Sequence, residues 1–209
     1  MYHENVTESA TTEAIGPAAL LPAPGAERHV ALDFANSAPT LPGGQSLDLL
    51  GTPEAAARWL AERHLAPPEA ELREVCAQRL RALRDQIRAL IASRIDARPA
   101  PAGALRAVND ALTTAPAAEL LHWDEARGLH RAPAHPVTQI VDHAMAVLAA
   151  DAADLLSGPH ADRLAACGSA PCTRYLLRTH ARRHWCSVRC GDRARAARAY
   201  ARRTRTEAP

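Results

Sequence analysis

Four of the five cysteines in this chain stand as two close pairs, Cys167 with Cys172 and Cys186 with Cys190, and arginine surrounds both pairs. Two short segments that each supply two sulfurs are the usual way to build a tetrahedral four-thiolate zinc site. A stretch of about forty residues buries too little apolar surface to fold alone, whereas a structural zinc contributes about 10–16 kcal/mol of apparent binding free energy to folding. Gly168 and Pro171 suit the tight turn inside the first pair, and Gly191 releases the chain after the last cysteine. The spacing therefore predicts one structural Zn2+ on Cys167, Cys172, Cys186 and Cys190, with a disulfide pair or unliganded thiols as the alternatives. His180 and His184 could replace a cysteine, which four well-spaced sulfurs make unnecessary. Cys76 falls on the apolar face of a predicted helix and reads as a core residue.

Charge is distributed unevenly. From Arg163 to Arg205 twelve arginines face one acid, Asp192, a formal +11, and the remainder carries thirteen arginines against twenty-two acids, or −9. Four zinc-bound thiolates would remove about two of those positive units. The C-terminal part stays strongly positive and wants a polyanion, or the acidic remainder of its own chain. If a helix runs from about Arg193 to Thr206, then Arg195, Arg198, Arg202 and Arg205 follow at steps of three, four and three. They then share a stripe less than a quarter-turn wide. Arg193 and Arg203 on that helix, with Arg182 and Arg183 between the cysteine pairs, complete the candidate nucleic-acid contacts. Arginine binds phosphate bidentately and also reads guanine edges. A solvated basic face is the bland alternative, since every Lys-or-Arg position in the chain is arginine.

Residues 1–26 are rich in Ala, Pro, Thr and Glu without periodicity, which predicts disorder. Their acids and prolines do not make a signal peptide. The apolar stretch 137–156 is interrupted by Asp142, His143, Asp151 and Asp154, so no membrane span is expected. A reducing, cytoplasmic location follows. Residues 27–160 read as a mainly helical domain. Val30 to Asn36 fits a short strand or a helical turn. Thr52-Pro53-Glu54 opens a helix running to about His64, and a long amphipathic helix spans about 69–95. A shorter helix carries Leu105, Val108 and Leu112. Glu119 to Trp123 and Leu129 to Arg131 form a minor β-hairpin with Gly128 in its turn. A second long helix carries Val137 to Leu155. Residues 161–206 are then a small four-cysteine zinc finger ending in a basic helix.

The run Trp185-Cys186-Ser187 followed by Cys190-Gly191-Asp192-Arg193, with Tyr175 three residues beyond the first pair, resembles the CGNR zinc-finger family. Three departures stand out: three residues rather than four separate the second pair, the acid usual after the aromatic is replaced around Leu177, and Asp192 replaces the family's Asn. A local turn or cap tolerates either residue. Upstream, Leu32-Asp33-Phe34-Ala35-Asn36-Ser37, Leu47-Asp48-Leu49-Leu50 and Val108-Asn109-Asp110-Ala111-Leu112 resemble the ABATE domain that precedes this finger. The resemblance implies a bacterial stress-induced regulator of transcription, with a DNA-binding finger and a larger sensing domain for an unknown small-molecule effector.

Three functions compete. A zinc-dependent DNA-binding regulator is the favoured reading. The alternative is a zinc-stabilised protein-interaction or redox-sensing module without sequence-specific DNA binding. An enzyme is not expected, because four thiolates leave no metal position for water and no catalytic motif is present. His122, Trp123, His130, His135 and His143 cluster in sequence and could line a ligand pocket. Oligomeric state is not encoded in any of these patterns.

Overall fold

The computed structural model describes residues 21–40, 46–115, 119–133 and 139–206. The disorder expected for residues 1–20, together with Val137 and His135, lies outside the described residues. The chain folds as α1 (Val30–Ala35), α2 (Pro53–Ala61), α3 (Glu74–Ile95), α4 (Ala102–Thr114), β1 (Glu119–Asp124), β2 (Gly128–Pro133), α5 (Ile140–Ser157), a 3-10 turn (Ala161–Arg163), β3 (Leu164–Ala166), β4 (Tyr175–Leu177) and α6 (Val188–Thr206). It is mainly helical with a minor hairpin, as the periodicities predict. Among the described residues no helix is long and apolar enough to cross a membrane.

Local chemistry accounts for the start of α2. Thr52 caps α2, its Oγ1 accepting from the Ala55 amide at 3.2 Å, and Pro53 takes the first helical position. Trp59 and Leu60 point inward. The long helix starts at Glu74, later than the expected 69. Pro67 to Ala70 form a turn of their own, and Arg73 offers no side-chain cap that would favour an earlier start. Leu72 still packs on the core, from extended chain before the helix.

The ambiguous segment after His29 is a helix, and its cap comes from far away. Asp151 of α5 accepts from the Ala31 amide at 2.7 Å and bonds the His29 ring at 2.9 Å. An anion at a helix N-terminus satisfies otherwise orphaned N–H groups. Ala31, Leu32, Phe34 and Ala35 are fully buried, and Phe34 meets Trp59 with ring centroids 5.4 Å apart. Helix α5 packs on α1, α3 and α4 to complete the main core.

One buried guanidinium brings polarity to the edge of that core. Arg84 of α3, 5% exposed, holds Asp48 bidentately at 2.6 and 3.0 Å and reaches Ser37 Oγ at 3.2 Å. Burial raises the Asp48 pKa, but hydrogen bonds from Arg84 and the Leu50 amide and the charges of Arg84 and Arg81 outweigh it. Its carboxyl stays below the ordinary 3.8.

The hairpin pairs His122 with His130 and Trp123 with Leu129, and Gly128 adopts φ +64 in its turn. The His122 and His130 rings stack at 6.0 Å, whereas His143 is buried within the helical core on α5. The histidines expected to line one pocket are thus divided between an exposed ribbon and the interior.

The short pair β3–β4 joins the two halves of the molecule. Leu164 and Leu177 pair in register and belong to the main core, while the next pair, Ala165 and Leu176, belongs to a second cluster around the cysteines. Side chains alternate across a strand, so one short ribbon closes two cores. Within residues 21–26, expected to be disordered, Ala23 and Gly25 are buried here. Pro24 O accepts from the Leu177 amide at 2.7 Å, and Gly25 at φ +98 lies against Leu177. A Cβ on Gly25 would stand 2.7 Å from Leu177 Cβ, so the contact requires glycine.

Candidate metal centre and basic helix

Each cysteine pair is set by its own local structure. Cys167 follows β3, and its amide bonds Arg174 O at 2.9 Å, while Cys172 closes a turn by donating to Ser169 O at 2.9 Å. The second pair straddles a helix start. Ser187 caps α6, its Oγ accepting from the Cys190 amide at 3.2 Å. Cys186 thus precedes the cap, and Cys190 lies one helical turn on. The three-residue spacing fits because residues four apart share one helix face.

The four Sγ atoms lie within 4.8 Å of one another. Cys172 and Cys186 are 3.7 Å apart and Cys186 and Cys190 3.6 Å, against about 2.05 Å for a disulfide. Tetrahedral zinc with bonds of about 2.3 Å places its sulfurs about 3.8 Å apart, so the cluster has the dimensions of such a site. Cys167, Cys186 and Cys190 are buried and Cys172 is half-buried. Cys172 donating to Cys167 holds the Cys167 thiol down to about 2, and donating pushes Cys172 up to about 11 and Cys186 upward as well. Crowded thiolates repel, and a divalent cation at their centre cancels that repulsion. Cationic donors surround the sulfurs: Arg193 Nη2 lies 3.5 Å from Cys190 Sγ, and Arg174 Nη1 4.0 Å from Cys186 Sγ. The Cys186 amide donates to Cys167 Sγ at 3.4 Å. The donor set fits zinc held by Cys167, Cys172, Cys186 and Cys190. His180 and His184 are exposed and stand outside this sulfur cluster, and Cys76 packs half-buried on the main core.

Helix α6 begins at Val188 and runs through the candidate basic stripe. Arg193 turns inward, its Nε and Nη2 donating to Ala170 O at 3.2 Å and Ser169 O at 3.1 Å. That guanidinium clamps the first cysteine turn to the helix and is committed to the finger itself. Asp192 pairs with Arg195 at 2.5 Å, three residues on along the helix. The Arg195 and Arg198 guanidiniums sit 5.5 and 5.6 Å from the Trp185 ring centroid. Arg202, Arg203 and Arg205 are exposed on the distal half, as is Arg182, while Arg183 is half-buried. Sequence reading missed the structural work of Arg174 and Arg193. Ser187 was the readable signal, a cap residue two positions before arginine and three before cysteine.

Residues 28–159 match the family described as "Putative stress-induced transcription regulator", ABATE. The chain belongs to the ABATE family. Residues 163–203 match the CGNR zinc finger. No curated protein matches the chain. The ABATE match ends and the CGNR match begins around the 3-10 turn that leads into β3. The signature Cys190-Gly191-Asp192-Arg193 can be explained position by position. Cys190 supplies a sulfur. A Cβ on Gly191 would come within 3.2 Å of Trp185 Cε3, so glycine lets the indole pack on the helix. Asp192 engages Arg195 within the same helix. Arg193 locks the first cysteine turn.

Proposed function

We propose that this ABATE protein is a zinc-dependent DNA-binding regulator of transcription, in which the CGNR finger grips DNA and the ABATE domain senses an effector. The observation that carries the reading is the state of α6. Its 19 residues extend about 28 Å at 1.5 Å per residue. Only Cys190 and Gly191 in its first turns are buried, and from Arg195 to Arg205 the helix is exposed apart from a half-buried Ala199. Short helices that bury no face are marginal in water, and a rod of alanine and arginine carrying a one-sided basic stripe finds its counterpart in a phosphate backbone. Zinc acts structurally, because four sulfurs fill its shell and leave no position for a reacting water. The protein is accordingly not an enzyme, and it works in a reducing compartment such as the cytoplasm, where thiols persist.

Fluorescence anisotropy with duplex DNA across a salt series tests this. Affinity should fall steeply with salt, and each of Arg198→Gln, Arg202→Gln and Arg205→Gln should lower the slope of log K against log salt by about 1. Chelation should abolish binding. Affinity indifferent to both salt and chelator would overturn the proposal.

A further inference from the structure

A groove of about 440 Å3 runs along α1 and α2 of the ABATE domain and is closed by Arg174 of the zinc finger. Its polar side chains divide sharply into spent and unspent. Each acidic or amide side chain in the lining already has a partner: Asp33 Oδ2 and Glu62 Oε2 meet Arg63, Asp48 meets Arg84 and the Leu50 amide, and the Asn36 amide meets both backbone groups of Tyr175. The buried polar atoms left without a partner in the lining are donors. Trp59 Nε1 and Arg174 Nε are buried without a hydrogen-bond partner, on side chains 2% and 6% exposed. The guanidinium of Arg58, exposed on α2, makes no ion pair or hydrogen bond among the described residues. Buried N–H groups are rarely left orphaned, and each one that is asks for a missing acceptor.

We infer that this groove is the effector site and that it takes a small organic anion, a carboxylate carrying an apolar body. The carboxylate meets Arg58 at the rim and the orphaned donors of Arg174 and Trp59 at the floor, where burial strengthens charge-assisted bonds. Leu47, Leu49 and Ala55 supply apolar wall for the rest of the ligand. Arg174 carries the occupancy onward. Its Nη2 donates to Leu21 O at 2.8 Å and its Nη1 reaches the Cys186 sulfur at 4.0 Å, so an anion drawing on this guanidinium competes with contacts that hold the finger. The inference rests on the reading of the ABATE domain as the sensing part, but its test contains no DNA. Failure of the inference is therefore told apart from failure of DNA binding.

The experiment is a titration of the full zinc-loaded chain with benzoate, followed by the indole N–H signals in 1H–15N spectra. The chain has three tryptophans, and Trp123→Phe and Trp185→Phe variants assign the Trp59 signal. Benzoate should shift that signal saturably, while neutral benzyl alcohol and inorganic phosphate should not. Arg58→Gln, on an exposed side chain that leaves folding intact, should weaken benzoate about tenfold, as expected for losing one charge-assisted bond. No saturable shift with benzoate at millimolar concentration would overturn the inference. So would an equal response to benzyl alcohol or phosphate, or an unchanged affinity in Arg58→Gln.

Discussion

Leu164 and Leu177 face one way from the β3–β4 pair, Ala165 and Leu176 the other, and the two sides are held by different forces. On the first side lies an aliphatic core of leucine, isoleucine and alanine from α1 to α5 with one Phe–Trp contact, stabilised by area removed from water. On the second, three fully buried apolar residues, Ala23, Ala165 and Leu176, accompany three buried sulfurs. That is too little apolar surface to fold a module, so metal ligation has to supply the difference. The expectation is that the finger depends on a metal ion while the ABATE core does not, although the two share a ribbon.

Removing the metal breaks the comparison most severely. Chelation, or Cys186→Ser, should forfeit about 10–16 kcal/mol of apparent folding free energy in the finger. Amide dispersion from Cys167 to Thr206 should collapse while signals from α3, α4 and α5 persist. A finger that kept its dispersion after verified metal loss would end the account of a sulfur-held core.

Neighbouring leucines on β4 sharpen the comparison. Leu176→Ala and Leu177→Ala each empty a buried site, at a cost of about 2–5 kcal/mol. Leu176→Ala should speed metal release with little change in the melting temperature of the helical domain, and Leu177→Ala should do the reverse. Chelator-competition kinetics and thermal melts read the two effects separately. Equal effects of both variants on both measurements would show that the ribbon does not partition two cores.

The smallest effect is a pH dependence confined to the larger side. Because the folded pKa of Asp48 is depressed, its stabilising contribution is complete above the unfolded value of about 3.9 and is lost as pH falls through the folded value. Below about pH 4 the grip of Arg84 on the 46–50 segment should therefore weaken. Asp48→Asn should flatten this acid limb in urea melts recorded between neutral pH and pH 3, and an identical acid limb in both proteins would remove Asp48 as its source.

Much of the site was legible because its information is local. Cysteine spacing names the four sulfurs that the fold brings together, Thr52-Pro53 names a helix start, and Gly128 names a turn, since each depends on residues within a few positions of one another. The basic stripe was legible as well, but not the withdrawal of Arg193 from it. A guanidinium that donates to Ser169 O and Ala170 O looks, in the sequence, like every other arginine near it. The expected disorder of residues 21–26 failed for a related reason. A segment without periodicity can still be ordered by contacts made elsewhere, here with Leu177 and Arg174.

The sequence by itself determined the sulfur set, the helical class of the larger domain, the faces of its two long helices and the polarity of charge, because periodicity and short spacings survive without a fold. Only the tertiary structure decided that the segment after His29 is helical, since its cap, Asp151, lies 120 residues from Ala31. It also decided that Asn36 joins the ABATE domain to Tyr175 across 139 residues, and that leftover donors of Arg58, Trp59 and Arg174 line one groove. Pairings at such separations carry no local signature: they exist only once the burial of apolar surface has brought distant segments together.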